Sequence, residues 1–483
     1  MTLGTALTTA LSGLNVAGRA SGVVSDNIAN VMTPGYARRS LELSTRGDTA
    51  PGARVVGTTR HVDPALLASR RSADATLGKS MVLADFYSRL TNAIGTDTAG
   101  DSIAGRLARF ENSLISAASR PDSDVRLRTV VQEANALANG LNLASDTIQN
   151  MRAEADAKIA ASVVTLNNAL SDIETLNGRI VSLGSSGSGA EALMDQRQNL
   201  IDQVNEIVPV RVVQRDRGRV ALYSDGGVIL MDGPAAKVEF TQTHTITPDM
   251  TLQSGALSAL VVNGRVVQTG SNYKSLAGGT LAANFQVRDE LAVAAQVELD
   301  AQARDLVERF EDPTVDPTLL AGDPGLFTDN NAAFVTTDEV GLAGRLKVNQ
   351  LVDPAQGGDA WKIRDGLGAA VPGSPGDATL IKALGEALTS KRVPASGGFG
   401  SGALAAADIA ATVISQVAQG SYRADRDLGF SSASQAELKK LELENGVDTD
   451  AELANLIVIE QAYAANARMI QVIDEMMESL LRI

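Results

Sequence analysis

The sequence has no cysteine and only two histidines, His61 and His244, among its 483 residues. Without thiols it has no disulfides, no thiolate metal ligands and no cysteine nucleophile, and two imidazoles disfavour a histidine-rich metal cluster. The sequence therefore predicts no metal site and no cofactor, and no catalytic residue stands out.

Aromatic residues are also scarce, at 3% of the chain, whereas apolar residues together make up 44%. Most of the burial must come from Ala, Leu, Val and Ile, whose side chains suit long, closely packed helices. At about 150 residues per domain, the length suggests about three domains and a sizeable core.

Basic charge is in deficit, because 42 Lys and Arg face 57 Asp and Glu and leave a net charge of −15. This argues against a nucleic-acid partner, which would be held by phosphate contacts. No stretch of about twenty residues is free of polar side chains, so no membrane insertion is expected. The apolar segment Met1–Gly22 differs from a secretory signal peptide because its first cation, Arg19, comes after the apolar stretch. We expect export, if it occurs, without a cleaved signal peptide.

The strongest periodic signal runs from Leu127 to Leu183, where apolar or small residues alternate at spacings of three and four. A pattern sustained over so many heptads indicates a coiled-coil seam, and an unbroken helix over this span would be about 85 Å long. The alternative is two shorter helices folded back on each other, because Asn139, Gly140 and Asn150 interrupt the pattern.

Two further amphipathic stripes lie at the chain ends, from Leu3 to Val31 and from Leu453 to Leu480. Each predicts a helix whose apolar face needs a partner. Up to Asn30 the first segment carries only Arg19 and Asp26 as charged side chains, too few to solvate a free helix. We expect both stripes to stay uncovered in a single chain and to be buried when many copies pack together.

Between the helical parts the periodicity changes to that of strands. Short apolar or β-branched runs are separated by turn signals, and Asn263-Gly264 is typical of a type I′ hairpin turn. These runs predict a strand-rich insert, after which helical periodicity returns over 284–310. The strand candidates are Ile207–Val213, Arg219–Tyr223, Val228–Met231, Leu257–Val262 and Arg265–Gln268.

Motifs for enzyme chemistry are weak. Gly78-Lys79-Ser80 ends like a phosphate-binding loop, but Ala73 stands where that loop needs glycine. Two carboxylates at a suitable separation are all that a glycan hydrolase needs, and nothing in the sequence singles out such a pair among the 57 acidic residues. We therefore predict a protein that is not an enzyme, with a glycan hydrolase kept as a lesser alternative.

The segment Ser25–Tyr36, SDNIANVMTPGY, resembles the signature N-N-I-A-N-x-N-T-P-G-Y of bacterial flagellar rod, hook and hook-associated proteins, with Met32 in place of the usual Asn. Gln461-Ala462-Tyr463 and the residues after it resemble the C-terminal helix of the same class. In the interior, Phe110–Pro121 and Met194–Arg197 resemble the hook-associated protein 1 family. The hook and distal-rod proteins share the ends and remain an alternative.

The resemblance implies a mainly α fold with a β insert, in which long coiled-coil-like helices from both termini accompany a strand-rich inserted domain. Residues 1–46 and 448–483 would form the inner domain of terminal helices. Residues 47–205 and 285–447 would form a helical domain with irregular loops, and residues 206–284 the outward-facing insert.

The resemblance also implies a structural, extracellular component of the bacterial flagellum at the hook-filament junction, used in motility and flagellum assembly. Its partners would be the hook protein, the second hook-associated junction protein, other copies of itself, a cytoplasmic flagellar export chaperone and the type III export apparatus. The candidate assembly interface would comprise Leu7, Leu11, Leu14, Val24, Asn27, Ile28, Asn30, Val31, Pro34, Gly35, Tyr36, Leu456, Gln461, Tyr463, Ile470, Ile473, Met477 and Leu480.

Overall fold

The computed structural model describes residues 3–45, 52–96, 100–184 and 189–482, and most of them are helical. The helices are α1 (Leu3–Ala29), α2 (Pro64–Ile94), α3 (Ile103–Ser119), α4 (Asp124–Gly184), α5 (Glu191–Ile207), α6 (Gly279–Gln286), α7 (Ala292–Phe310), α8 (Leu342–Arg345), α9 (Lys362–Asp365), α10 (Thr379–Thr389), α11 (Ala406–Glu444) and α12 (Thr449–Leu481). The strands are β1 (Arg39–Thr45), β2 (Ala53–Arg60), β3 (Val210–Gln214), β4 (Val220–Ser224), β5 (Ile229–Met231), β6 (Val238–Glu239), β7 (Leu260–Val262), β8 (Arg265–Val267), β9 (Phe327–Asp329) and β10 (Leu346–Val348). The predicted fold class, mainly α with a β insert, is confirmed.

Helix α4 is a single helix of 61 residues, about 90 Å long at 1.5 Å per residue. The two-helix alternative is therefore wrong. Gly140 does not break the helix because it serves packing: a Cβ there would lie 2.7 Å from Cδ of Arg106 on α3. The Arg106 side chain crosses α4 at this point and donates from Nη1 to the Ala136 carbonyl at 3.1 Å.

The apolar seam of α4 is buried against other elements of the same chain. Its first half, from Leu127 to Ala155, lies in a core with α3, α7, α10 and the start of α11. Phe110, Phe310 and Phe327 meet there, with ring centroids 5.4–6.0 Å apart. Its second half, from Ile159 to Ile173, lies in a second core with α5, α6 and the strand-rich insert. The predicted periodicity is confirmed, and the chain itself supplies the seam's packing partners.

The insert consists of two three-stranded antiparallel sheets, ordered β3-β4-β5 and β6-β7-β8. Asn263 and Gly264, between β7 and β8, have φ of 50° and 75°, as a type I′ turn requires. The predicted hairpin is thus confirmed. The first strand candidate begins too early, because α5 runs to Ile207 and β3 starts at Val210.

A π-helical turn, Val287–Leu291, separates α6 from α7 where the chain returns from the insert. Arg288 Nη1 in this turn donates to Asp156 Oδ1 of α4 at 2.6 Å, and both side chains are fully buried. Arg152, one turn earlier on α4, donates from Nε to the Arg288 carbonyl at 3.0 Å. The irregular turn therefore anchors the end of the insert to the long helix.

The hairpin of β1 and β2 was not predicted from the sequence. Its strands are antiparallel, with Arg39 opposite Arg60 and a register shift between Glu42 and Leu43. Strand β1 lies within residues 1–46, so this segment is more than a terminal helix. The alternation of Leu41 and Leu43 with polar residues was the available signal.

Candidate assembly interface

Helices α1 and α12 lie antiparallel against each other. Gly13 of α1 faces Asn466 of α12 so closely that a Cβ at position 13 would lie 2.6 Å from Asn466 Oδ1. Farther along the pair, Arg38, beyond the end of α1, lies with Nε 2.7 Å from Glu452 Oε1 in the first turn of α12. The two ends of the sequence are therefore already paired within one chain.

The inner face of α1 is covered in this pairing. Ala10, Ala17 and Val24 are all at most 5% exposed, and α1 contacts α12, β1 and β2. The expectation that the α1 stripe stays uncovered in a single chain is therefore wrong. The reason is that Gly13 and the alanines are small enough for α12 to approach closely.

Most of the large apolar residues of α12, by contrast, are exposed to solvent. Ile473 is its one buried apolar residue, whereas ten large apolar side chains are between 45% and 86% exposed. One helix thus leaves ten large apolar side chains in contact with solvent, and concentrations of this kind mark interaction surfaces. These residues, called the α12 stripe below, are Leu453, Ile457, Val458, Tyr463, Met469, Val472, Met476, Met477, Leu480 and Leu481.

The outer face of α1 carries glycines with open space beside them. At Gly4, Gly18 and Gly22, an added Cβ would have no heavy atom of the described residues within 4 Å apart from the adjacent residues and the nearby backbone of α1 itself. A glycine inside a helix costs about 1 kcal/mol relative to alanine, and nothing inside the described chain uses the space it leaves. Leu11, on the same helix, is 52% exposed.

The signature segment ends α1 and docks the chain that follows it. Asn27 is fully buried; its side chain donates to the Arg39 carbonyl at 2.9 Å and accepts from the Arg39 amide at 3.0 Å. Tyr36 Oη also donates to Asn27 Oδ1, at 2.8 Å. Asn27 therefore fixes the loop between α1 and β1 to the end of α1.

Gly35 lets this loop reach α5. It has φ of 74°, and a Cβ there would lie 1.9 Å from Asn199 Oδ1, so a larger residue would meet both strain and a clash. Asn199 Nδ2 donates to the Pro34 carbonyl at 3.0 Å. Earlier in the loop, Thr33 Oγ1 donates to Asn30 Oδ1 at 3.1 Å. Met32, where the signature usually has Asn, is 89% exposed.

The structure divides the predicted interface residues into three groups, which together form the helix pair and its adjoining loop. Val24, Asn27 and Ile473 are buried. Half-buried residues are Leu7, Leu14, Ile28, Asn30, Gly35, Tyr36, Leu456 and Ile470. Exposed residues are Leu11, Val31, Pro34, Gln461, Tyr463, Met477 and Leu480. Asn27, Gly35 and Tyr36 make contacts within the chain, so any role they have in assembly is to position the helices.

Asp195, in the Met194–Arg197 motif, is a positioning residue whose role the sequence pattern does not reveal. It accepts from Arg39 Nη2 at 2.6 Å and from Arg60 Nε at 2.5 Å, joining both strands of the β1-β2 hairpin to α5. Its neighbour Arg197 donates from Nη1 to Asn177 Oδ1 and to the Gly218 carbonyl, each at 2.7 Å. Burial lowers the pKa of Arg197 to about 10. The Met194–Arg197 block thus couples the terminal helices to the body.

A charged network joins α2, α5 and α11 close to the start of α12. Arg70 pairs with Asp202 of α5 at 2.6 Å and with Glu442 of α11 at 2.7 Å. Arg71 Nε also contacts Asp202, at 2.6 Å. Burial raises the pKa of Glu442. The network fixes where α11 ends and therefore where α12 leaves the body.

Among the described residues, no three or more His, Asp or Glu side chains come together as a metal site would need. In the same part of the chain, no helix is long and apolar enough to cross a membrane. The acidic side chains of 312–329 serve local structure; Asp316, for example, accepts from the Thr318 and Leu367 amides at 3.0 and 2.9 Å.

Comparison with known proteins identifies the family. The model of the flagellar hook-associated protein FlgK helical domain matches residues 87–326. The model of the flagellar basal body rod FlgEFG protein C-terminal region matches residues 444–483. The chain belongs to the flagellar hook-associated protein 1 family. The two matched segments cover more than half of the chain, and the second contains α12 with its exposed stripe.

Curated relatives carry the same family name. The chain is 25% identical to flagellar hook-associated protein 1 of Escherichia coli strain K12, over 58% of this chain and 52% of that protein. It is 27% identical to the Salmonella typhimurium protein, over 47% of this chain and 42% of that protein, so the match spans about half the length of these relatives. Against the Bacillus subtilis protein, identity is 22% over 98% of this chain and 97% of that protein.

Among solved structures, the flagellar hook junction protein FlgK from Burkholderia pseudomallei is similar, with a TM-score of 0.44 and 22% identity. The similar region covers 54% of this chain and 46% of that one.

Proposed function

We propose that this chain is a structural component of the bacterial flagellum that assembles on the hook tip and joins the hook to the filament. The observation that carries the proposal is the α12 stripe, which remains exposed although the rest of the molecule has two well-packed cores. Membership of the hook-associated protein 1 family supports the same function.

Assembly would bury the α12 stripe between neighbouring copies. Covering the exposed half of one large apolar side chain contributes about 1 kcal/mol, so ten of them contribute on the order of 10 kcal/mol per copy before the entropy of association is subtracted. The open faces of Gly4, Gly18 and Gly22 would let a neighbouring helix approach α1 closely. The α1–α12 pairs would then form the inner layer of a tube.

The rest of the chain would provide the outer layers. Helices α2, α4 and α11 would surround the inner tube, and the strand-rich insert would face outward. One heterologous contact, repeated from copy to copy, generates an open helical arrangement. Such a layer could present one surface to the hook protein and another to the second hook-associated junction protein.

The same exposed surface would need protection before the chain is exported. An apolar stripe of this size would promote aggregation in a cell, so we propose that a cytoplasmic chaperone covers α12 until the flagellar type III apparatus exports the chain. Its final place would be extracellular, at the hook-filament junction, with no nucleic-acid partner and no insertion into a membrane.

The proposed role is mechanical and not enzymatic. The polar residues of the signature and of the Met194–Arg197 block bind backbone groups or each other, as Asn27 does with Arg39. They fix the angle between the helix pair and the body, which is the property that a junction between two different tubes requires.

The test is electron microscopy of a strain from which the gene has been deleted. We expect intact hooks that carry no filaments, and recovery of filaments when the wild-type gene is restored. Normal filaments in the deletion strain would contradict the proposal. Loss of the hooks themselves would instead indicate a hook or rod protein.

A further inference from the structure

Methionines are concentrated on the exposed side of α12. The chain has ten methionines, and Met469, Met476 and Met477 lie within the last part of this helix with 49%, 46% and 45% of their surfaces exposed. By contrast, Met151 of α4 is 3% exposed and Met231 of β5 is fully buried. The thioethers of α12 are therefore open to solutes before assembly.

These side chains belong to the surface that assembly would cover. Met469, Val472 and Met476 follow one another at spacings of three and four and so share one face of the helix. Met477 follows the buried Ile473 by four residues and so lies next to it on the helix surface. A change in the polarity of these three sulfur atoms would therefore make the α12 stripe itself more polar or less polar.

We propose that Met469, Met476 and Met477 form an oxidation site that controls assembly: a two-electron oxidant such as hydrogen peroxide converts them to sulfoxides in the unassembled chain, and the oxidised chain cannot pack. The block of packing rests on the proposed function; the oxidation itself does not.

The reaction balances with peroxide alone. A lone pair of the methionine sulfur attacks one peroxide oxygen, the S–O bond forms and the O–O bond breaks. The hydroxyl now bound to sulfur gives its proton to the departing hydroxide, which leaves as water, and the sulfoxide keeps the transferred oxygen. The sulfur is oxidised by two electrons and the peroxide is reduced by two. A thiol-dependent sulfoxide reductase reverses the change by oxidising two thiols to a disulfide and releasing water.

The physical effect is on burial. A thioether is apolar and adaptable, whereas a sulfoxide carries a strong dipole that must find a hydrogen-bond donor when water is removed. Three sulfoxides on one helix end would each add an unsatisfied polar group to the closed interface. Assembly, once complete, would shield the same sulfurs from peroxide.

The first arm of the test measures chemistry on the full chain in dilute solution. After timed exposure to hydrogen peroxide, peptide mass spectrometry should find sulfoxide at Met469, Met476 and Met477 forming about tenfold faster than at Met151 and Met231. Equal rates at the exposed and the buried positions would overturn the oxidation site.

The second arm measures attachment of the treated chain to hooks isolated from the deletion strain. Peroxide should reduce attachment of the wild type about tenfold, and the triple variant Met469→Leu/Met476→Leu/Met477→Leu should keep its attachment. The matched control is Met32→Leu/Met81→Leu, which removes two sulfurs that are 89% and 56% exposed elsewhere and should leave the sensitivity unchanged.

The outcomes separate the two proposals. Undiminished attachment of the oxidised wild type, or equal loss by the oxidised triple variant, would overturn control of assembly by these residues. If the untreated triple variant does not attach, the three single Leu variants are tested instead. If none of them lowers the loss of attachment caused by peroxide, the inference is overturned. Failure of the untreated wild type to attach would contradict the proposed function and the assembly control, while the sulfoxide rates would still decide the oxidation site.

Discussion

Arg38 Nε lies 2.7 Å from Glu452 Oε1, and the Glu452 side chain is 1% exposed while that of Arg38 is 36% exposed. The pair joins the start of the β1-β2 hairpin region to the first turn of α12. Glu452 Oε2 is buried with no hydrogen-bond partner among the described residues. Arg38 is therefore the group that makes burial of this carboxylate tolerable.

The pair should respond asymmetrically to substitution. Arg38→Ala leaves a buried, unpaired carboxylate and should destabilise the docking of α12 by about 2 kcal/mol, whereas Glu452→Gln leaves only the hydratable Arg38 and should cost about 1 kcal/mol or less. Hydrogen exchange of the first turns of α12 measures both. Arg128→Ala, which breaks an exposed pair with Asp124, is the control and should have no effect. Equal effects of the two test variants would show that the carboxylate is not the costly group.

Gly18 gives a prediction in which stability and assembly move in opposite directions. Gly18→Ala meets open space in the chain, so it should stabilise α1 by about 1 kcal/mol. It should nevertheless reduce attachment to isolated hooks, because the added methyl group lies where a neighbouring helix would approach. Thermal unfolding and a hook-attachment assay measure the two effects. Gly178→Ala, an equally open position on α4, should stabilise its helix without reducing attachment; a similar loss for both would contradict the role of the α1 face.

Ile470 tests the apolar side of the helix pair. Ile470→Asp should abolish incorporation into the flagellum, since a charge inside the assembled interface costs several kcal/mol. The secreted chain should keep its folded body, measured by the fluorescence of the single tryptophan, Trp361. Val164→Asp adds the same charge at a site on α4 that is 60% exposed and should leave the body equally folded. Normal junctions built from the Ile470 variant would refute the assignment of this face.

Asp300 makes the stability of the body depend on pH. Burial raises its pKa to about 6, although the amides of Ala343 and Gly341 donate to it at 2.8 Å. The folded state then binds the proton more tightly than the unfolded state, so this contribution to stability is full below pH 4 and is lost as pH rises toward 6. The loss amounts to about 2–3 kcal/mol. Asp300→Asn lacks this dependence.

Urea unfolding followed by Trp361 fluorescence at pH 4.5 and pH 7.5 checks the Asp300 prediction. The stability of the wild type minus that of Asp300→Asn should be larger at the lower pH, by about 2 kcal/mol. A difference that is the same at both pH values would show that Asp300 ionises as readily in the folded chain as in the unfolded one.

What could be predicted from the sequence was local. The periodicity of α4 and the Asn263-Gly264 turn are properties of neighbouring residues, and both are confirmed. The pairing of α1 with α12 joins segments more than four hundred residues apart. Its register depends on which small residue, here Gly13, faces which side chain, here Asn466, and the separate patterns do not contain that information.

For the same reason, only part of the candidate site could be predicted from the sequence. Apolar periodicity predicts a helix with an apolar face at each end of the chain, but it cannot say that these two helices pair within one chain, or that a further set of apolar residues, the α12 stripe, stays exposed. The link from Asp195 to Arg39 and Arg60 could not be predicted, because the β1-β2 hairpin that carries the two arginines was itself missed. The segment 312–341 contains no α-helix, and carboxylates that accept from backbone amides, such as Asp316, hold its turns in place.

Covalent carbene footprinting of side chains, applied to the dilute chain and to the chain assembled on hook tips, measures the coverage of the α12 stripe directly. Val266 of the insert, 62% exposed, serves as the outward-facing reference. The account predicts strong labelling of Tyr463, Val472 and Leu480 in the dilute chain, loss of that labelling on assembly, and unchanged labelling of Val266. Equal labelling of these α12 residues in both states would contradict it.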